Sequence, residues 1–301
     1  MTTPTALSQE AWRSNRRLIA ELTSVLSDDK AAMESAPRVE AEWLLAEALG
    51  VSRTELYVWE APIPPPARQR LAQWLRRRLA GEPLQQVLGS AVFCGHRLFV
   101  NSTVFIPRPE TEVLADQMIR HLQARALDAT ARRALSVLDV CTGSGCIAIS
   151  VAKAVAACVV TALEVSWEAL RVAQHNVRRC GVSERVRLIQ ADLTAGLVGR
   201  FDAIVSNPPY VPSANVRLLS AQRLGDPDLS LDGGPDGMSC HRRLLANAPR
   251  LLAARGVVCL ECAEDQADSL ARMAGSQSWA RRVRVWDDLA GRPRGIWIET
   301  A

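Results

Sequence analysis

The stretch Leu135-Ser136-Val137-Leu138-Asp139-Val140-Cys141-Thr142-Gly143-Ser144-Gly145-Cys146 decides how this chain is read. It begins as a mostly apolar, strand-like run. It then enters a turn whose glycines let the backbone bend sharply and come close to a ligand, and residues 147–155 continue as a helix-like stretch. The same alternation extends downstream. Strand-like runs at 159–165, 186–191, 201–206 and 256–262 are separated by helix-like stretches at 167–180 and 241–253, and strands at 283–287 and 295–299 close the chain. Strands alternating with helices imply right-handed crossovers. The pattern predicts an α/β, Rossmann-like, doubly wound, mostly parallel seven-stranded sheet. In such a sheet ligands sit beyond the C-terminal strand ends, where strand order reverses.

Upstream the period changes. Residues 11–26, 37–49 and 66–79 carry apolar residues at three- and four-residue spacing, with Gly50 and Gly81 as stops. A small helical bundle is the economical reading, and the prolines at 62 and 64–66 are a connection within it. After Gly81-Glu82-Pro83 two short apolar runs flank Cys94-Gly95-His96, which suits a β-hairpin. The expected division is an N-terminal helical domain over 1–82, a hairpin linker over 83–110 and an α/β domain over 111–301.

The bulk composition fits this plan. Of 301 residues 48% are apolar and 23% charged, so a large core is available. The 36 basic and 32 acidic residues leave a formal charge of +4, too mild a bias to indicate nucleic-acid binding. The run Arg76-Arg77-Arg78 reads as a solvated helix face. Eight cysteines form no dense disulfide framework, and Cys259-Leu260-Glu261-Cys262 lacks the second ligand pair of a zinc site. No metal is expected. The first residues show no basic segment followed by an apolar core, and no run reaches the ~18 apolar residues of a membrane span. These features together suggest a reducing, cytoplasmic setting.

The chemistry concentrates at the predicted strand ends. Glu164 ends the second strand, at a place where a carboxylate commonly holds both hydroxyls of a ribose. Asp192 ends the third. With the glycine turn, these residues would build a nucleoside pocket. The plainer alternative is a set of strand-to-helix turns with caps.

The fourth strand ends in Asn207-Pro208-Pro209-Tyr210. Two prolines stiffen the backbone and remove two N–H donors, leaving carbonyl oxygens and the Asn207 side chain. Such a corner is rich in acceptors. The Asn207 side-chain oxygen and the Pro208 carbonyl can each accept from one hydrogen of a planar NH₂ group, and Tyr210 can stack on the planar amide or base. A rigid turn is the bland alternative. An acceptor-lined corner argues against a dinucleotide-dependent redox enzyme, because it grips an amino group.

This combination resembles the HemK-type protein-(glutamine-N5) methyltransferases, a class of S-adenosylmethionine-dependent enzymes. The resemblance rests on Gly81-Glu82-Pro83-Leu84-Gln85, Phe105-Ile106-Pro107-Arg108-Pro109-Glu110-Thr111-Glu112, the glycine turn, Asn207–Tyr210 and Leu231-Asp232-Gly233-Gly234-Pro235-Asp236-Gly237-Met238. It spans roughly residues 38–299. It implies that Cys141, Thr142, Gly143, Ser144 and Gly145 wrap the methionine part of the cofactor. Glu164 would bind the ribose, Asp192 and Leu193 would border the adenine, and Asn207 would face both ligands. Asn207, Pro208, Pro209 and Tyr210 would hold the substrate glutamine, with Asn207, Pro208 and Tyr210 closest to the chemistry. Residues 107–112 would form a pocket wall. The implied partners are peptide-chain release factors, recognised with the help of the helical domain. Gln86 stands where the family usually has tyrosine, Cys94 where an aromatic is usual, Glu164 where aspartate is usual and Ala263 where glycine is usual. Two other substrates suit the same corner: a glutamine of a ribosomal protein, and the amino group of a nucleic-acid base. Direct nucleic-acid binding is not expected, since no separate target-reading domain is visible. A cofactor-binding protein without catalysis is a third reading, which the intact Asn207–Tyr210 corner disfavours.

Overall fold

The computed structural model describes residues 7–8, 10–27, 36–127, 134–222 and 225–300. The N-terminal residues read above for a targeting segment fall in part, at 1–6 and 9, outside that set. Contacts divide the chain into two compact units, Met1–Gly89 with Gln222–Gly225, and Ser90–Ala221 with Asp226–Ala301.

The first unit is helical: α1 (Asn15–Ser27), α2 (Pro37–Leu49), α3 (Arg53–Leu56), α4 (Pro65–Leu79) and α5 (Leu84–Leu88). Its core joins Leu18, Leu22 and Leu26 to Leu44, Leu45, Leu56 and Leu71. The stretch read as one helix from residue 11 is broken. A 3₁₀ turn at Ala11–Arg13 gives way to an extended Ser14 before α1 begins. Buried Asn15 explains the break, because its Nδ2 donates to the Leu56 carbonyl and its Oδ1 accepts from Arg16 N–H. Helix α2 starts with proline in its first turn and stops at Gly50, φ +73°, a conformation that favours glycine. The arginine run at 76–78 is more than a solvated face. Arg77 pairs with Glu82, and Arg78 is buried against Glu40 at 2.9 Å. Gln86 is buried, and its Nε2 donates to the Gly225 carbonyl at 2.7 Å.

The second unit opens with a hairpin, β1 (Ser90–Phe93) and β2 (His96–Phe99). Cys94 (φ +46°) and Gly95 (φ +75°) make the turn, both left-handed as a two-residue hairpin of matching twist requires. The half-buried Cys94 donates its N–H to Glu112 Oε1 at 2.8 Å. Helix α6 (Pro109–Ala126) follows. It buries Leu114, Ala115, Met118 and Leu122 at helical spacing, a periodicity the sequence reading passed over.

Then come β3 (Leu135–Val140), α7 (Cys146–Ala154), β4 (Cys158–Glu164), α8 (Trp167–Arg179), β5 (Val186–Gln190), β6 (Phe201–Ser206), α9 (Ser213–Gln222), α10 (Asp228–Leu231), α11 (Ser239–Leu251), β7 (Leu252–Glu261), α12 (Ala267–Gly275), β8 (Ala280–Asp287) and β9 (Pro293–Thr300). The sheet has seven strands in the order β5-β4-β3-β6-β7-β9-β8. The first five in that order run parallel and β9 is antiparallel to both its neighbours. The expected seven-stranded, mostly parallel, Rossmann-like sheet is therefore what forms. Helices α9, α10 and α12 were not assigned from the sequence.

Alternation along the strands fills two core layers. Val137, Ala203, Val205, Val257 and Cys259 face α6, α7 and α8 on one side. Leu138, Val140, Ile204, Val258 and Leu260 face α11 and α12 on the other. Cys259 and Cys262 belong to opposite layers, so their CxxC spacing cannot bring both thiols to one metal. The chain runs from β3 outward through β4 and β5, then returns to place β6 on the other side of β3. The strand order thus reverses between β3 and β6, and there the site lies.

Candidate active site at the strand ends

Ladder register aligns the residues of interest. Val140 pairs with Leu163 and Ser206, Ser206 with Leu260, and Glu164 with Gln190. The residues just beyond, Cys141–Gly145, Glu164, Asp192, Asn207 and Glu261, emerge along one edge of the sheet.

The loop after β3 is tightly wound. Cys141 (φ +61°), Gly143 (φ +53°) and Gly145 (φ +83°) are left-handed. Thr142 N–H donates to the Leu163 carbonyl and Gly145 N–H to the Thr142 carbonyl, at 2.9 and 2.8 Å. A side chain at Gly143 would project into open space beside the loop, while one at Gly145 would press on Ala173 of α8. Gly143 thus keeps a cradle open and Gly145 permits close helix packing. Asn176, fully buried on α8, ties the loop to the hairpin: its Nδ2 donates to the Ser144 and Phe99 carbonyls, and its Oδ1 accepts from Phe99 N–H. A lone asparagine among Val172, Ala173 and Val177 is the signal in the sequence that marks it.

Two carboxylates flank the loop. Asp139 is fully buried, and its Oδ2 accepts from the Thr142 hydroxyl (2.6 Å) and Ala148 N–H (3.1 Å). Its Oδ1 has no protein partner among the described residues. Burial pushes its pKa up to about 7, against the lowering effect of those two hydrogen bonds. Glu164 is long enough to curl back. Its Oε2 accepts from Gly143 N–H at 3.0 Å, and its Oε1 accepts from Val165 and Ser166 N–H. Asp192 is exposed and paired with Arg243 at 2.8 Å, beside Leu193, which is buried and left-handed at φ +50°.

Asn207 stands at the end of β6. Its Nδ2 donates to Thr111 Oγ1 in the first turn of α6, at 3.0 Å. Pro208 is buried, and Pro209 and Tyr210 are half-buried. The segment 231–238 braces this corner from beneath. Val211 N–H donates to the Leu231 carbonyl and Gly233 N–H to the Val211 carbonyl. A Cβ at Gly233 would meet Tyr210 Cα at 2.7 Å, and one at Gly237 would strike the Tyr210 carbonyl, so both positions require glycine. Gln266 Nε2 donates to that carbonyl at 2.8 Å. Ala263 takes an ordinary extended conformation and donates its N–H to Gln266 Oε1, so alanine fits in place of glycine.

The structure also brings Glu261 to the corner. It is buried at the end of β7, and burial raises its pKa to about 7. In the sequence it lies inside the apolar strand-like run 256–262. Being the single charge in the run 256–262, it could have been singled out.

The arrangement combines an open glycine cradle, the Glu164 carboxylate bonded to backbone N–H groups beside it, and the Asn207–Tyr210 corner on the adjacent strand. It can hold an elongated nucleoside ligand beside a planar NH₂ group. Among the described residues no group of three His, Cys, Asp or Glu side chains is placed to hold a metal ion.

Comparison with known proteins agrees. Residues 17–89 match the PrmC N-terminal domain and residues 113–225 the methyltransferase small domain. The release factor glutamine methyltransferase of Chlorobaculum tepidum is 40% identical over 267 residues, 86% of this chain and 89% of that protein. That of Moorella thermoacetica is 38% identical over 260 residues, 86% and 89% of the two chains. A methyltransferase from Pyrococcus furiosus, 19% identical, shares the fold with a TM-score of 0.50 over 77% of this chain and 98% of that one. With relatives this similar along almost their whole length, the chain belongs to the release factor glutamine methyltransferase family.

Proposed function

We propose that this protein methylates the side-chain amide nitrogen of the glutamine in the Gly-Gly-Gln motif of peptide-chain release factors, with S-adenosylmethionine as donor. The observation that carries this reading is the Asn207-Pro208-Pro209-Tyr210 corner beside the Cys141–Gly145 loop, on adjacent parallel strands, with the Asn207 amide anchored through its NH₂ end. Anchoring Nδ2 leaves Oδ1 as the free acceptor, which with the Pro208 carbonyl suits the two hydrogens of a glutamine amide.

The cofactor fits the residues present. Asp139 Oδ1 is a buried acceptor without a protein partner among the described residues, and Gly143 leaves room where a side chain would intrude. Cys141, Thr142, Gly143, Ser144 and Gly145 would hold the methionine portion, Glu164 the ribose, and Asp192 and Leu193 the adenine edge. The bound sulfonium supplies an electrophilic methyl group.

An amide nitrogen is a poor nucleophile, because its lone pair is delocalised into the carbonyl. Placement therefore does most of the work. Holding nitrogen in line with the methyl contributes up to roughly 7–11 kcal/mol in ideal cases. Asn207 and Pro208 accept the two N–H hydrogens, orient the nitrogen and favour the positive charge that develops on it. A glutamate side chain would turn lone pairs against those acceptors and go unmethylated.

Residues 1–82 recognise the release factor in this reading, 83–110 connect, and 111–301 carry the chemistry, in the cytoplasm and without direct nucleic-acid contact. No helix among the described residues is long and apolar enough to cross a membrane. The test is to incubate the protein with the donor and purified release factors and analyse the Gly-Gly-Gln peptide by mass spectrometry. One added methyl on glutamine is expected. Methylation of a ribosomal protein or a nucleic acid instead would overturn the assignment.

A further inference from the structure

Of the stretch Phe105–Glu112, the acceptor corner is met by Thr111 alone, and Arg108 has a different partner. It stands at the start of α6, where a short polar side chain commonly caps a helix. Arg108 is extended there (φ −105°, ψ 151°), and its side chain makes no capping bond. The guanidinium crosses instead to Asp226, 118 positions away, with Nη2 donating to Oδ2 at 2.7 Å. The other carboxylate oxygen of Asp226 accepts from Ile106 N–H at 3.1 Å. Asp226 thus grips the chain on both sides of Pro107. It does so under cover, its side chain 1% exposed and that of Arg108 19%. A charge-assisted hydrogen bond in such a place is stronger than one in water.

Both ends of this contact lead to the corner. From Arg108 the chain enters α6, where Thr111 N–H donates to the Arg108 carbonyl at 3.1 Å and Thr111 Oγ1 accepts from Asn207 Nδ2 at 3.0 Å. From Asp226 the chain passes through α10 to Leu231, whose carbonyl accepts from Val211 N–H at 2.9 Å. Residues 207–211 close the circuit. The corner therefore has two supports, Thr111 and Leu231, and Asp226 joins them to each other. Prolines at 107, 109 and 227 stiffen both arms next to that junction, so a shift there is passed on to the corner. The glycine loop after β3 is tied elsewhere, to Leu163, Glu164 and Asn176.

We propose, resting on the reading that this protein methylates a glutamine amide, that Asp226 is a positioning residue: by clasping residues 106–108 to the segment 226–238 it fixes the two supports of the Asn207–Tyr210 corner relative to each other, and so sets how the glutamine amide lies against the methyl donor. Asp226 touches neither substrate nor cofactor in this scheme. Its effect reaches the reaction through Thr111 and Leu231.

The test compares Asp226→Ala, Asp226→Asn, Arg108→Met and the double variant of Arg108→Met with Asp226→Ala against the wild type. Measured are kcat and KM on a release factor, cofactor affinity by calorimetry, and hydrogen exchange over residues 105–112 and 210–215. Asp226→Ala removes both bonds and should lower kcat about ten- to a hundredfold, the effect of a small misplacement of the reacting atoms, while KM and cofactor affinity stay within about twofold. Exchange should quicken in both segments. Asp226→Asn keeps an acceptor for Ile106 N–H and Arg108→Met keeps the carboxylate, so each should lose less, about three- to tenfold in kcat. The double variant should be no slower than Asp226→Ala, because both changes break the same contact. Wild-type kcat in Asp226→Ala would overturn the proposal. So would a loss of cofactor affinity as large as that of kcat, unchanged exchange over 210–215, or a double variant slowed by the product of the single effects. Should Asp226→Ala fail to fold, Asp226→Asn and Arg108→Met decide: a lower kcat at unchanged cofactor affinity supports the clasp, and wild-type kcat in both refutes it. A wild type that left release factors unmethylated would bring down the underlying reading and this inference with it, whereas an active wild type with any of the contrary outcomes brings down this inference alone.

Discussion

In the helical unit buried carboxylates are met by arginines. Glu40 is paired with Arg78, both side chains almost fully covered, and Glu42 receives Arg53, Arg38 and the Tyr57 hydroxyl. Burial alone would raise the Glu42 pKa, but these hydrogen bonds outweigh it and hold the group below the usual carboxylate range. At the strand ends of the second unit the treatment is reversed. Asp139 and Glu261 are just as buried, yet neither is paired with a cation among the described residues, each keeps one oxygen unpartnered among the described residues, and both pKa values rise to about 7. A buried carboxylate closed off by arginine is finished as structure. One left with spare acceptor capacity holds part of its bonding for something that is bound or positioned later.

The largest effect that would sharpen this comparison is in the helical unit. Arg78→Leu should destabilise it by about 3–5 kcal/mol, because Glu40 is left as an uncompensated buried charge. Urea unfolding measures the loss, and the double replacement of Glu40 and Arg78 by apolar residues should recover most of it. Close behind, Asn207→Ala should reduce methyl transfer about 10²–10³-fold while cofactor binding, followed by calorimetry, falls much less. Near wild-type turnover in that variant would remove the acceptor corner from the mechanism.

Smaller effects depend on pH. Asp139 and Glu261 have folded pKa values raised above their ordinary 3.8 and 4.5. Their contribution to stability is therefore fully present below those ordinary values and is lost as pH rises through about 7. Thermal unfolding of the ligand-free protein should show stability falling as pH rises from about 4 to about 7 and levelling off above that, and Asp139→Asn should flatten the fall. Arg78 variants should leave that slope alone, which separates the two kinds of buried acid. The smallest effect is at His121, which lies edge-on to Trp297. Burial depresses its pKa to about 4, so its contribution is present above about 6.5 and lost as pH falls through 4. Replacing His121 by phenylalanine should weaken the acid-side loss of stability.

The sequence by itself determined the crossover plan, because short apolar runs such as 201–206, buried on both faces as parallel strands are, and the glycine turn after 135–141 are local signals with a fixed geometric meaning. It also located Asn207–Tyr210, since two successive prolines restrict backbone wherever they occur. Helix α6 was hidden by the prolines at its start, although proline is tolerated in a first turn and the apolar spacing from Leu114 to Leu122 continues beyond them. What only the tertiary structure decided is which distant groups meet: Thr111 with Asn207 across 96 positions, Gln266 beneath Tyr210, Asn176 behind the glycine loop, and Glu261 at the end of the strand next to Asn207. The reason is physical. Backbone conformation is set by neighbours in the chain, whereas the partner of a buried polar side chain is set by strand order and register, which bring residues together irrespective of their separation in sequence.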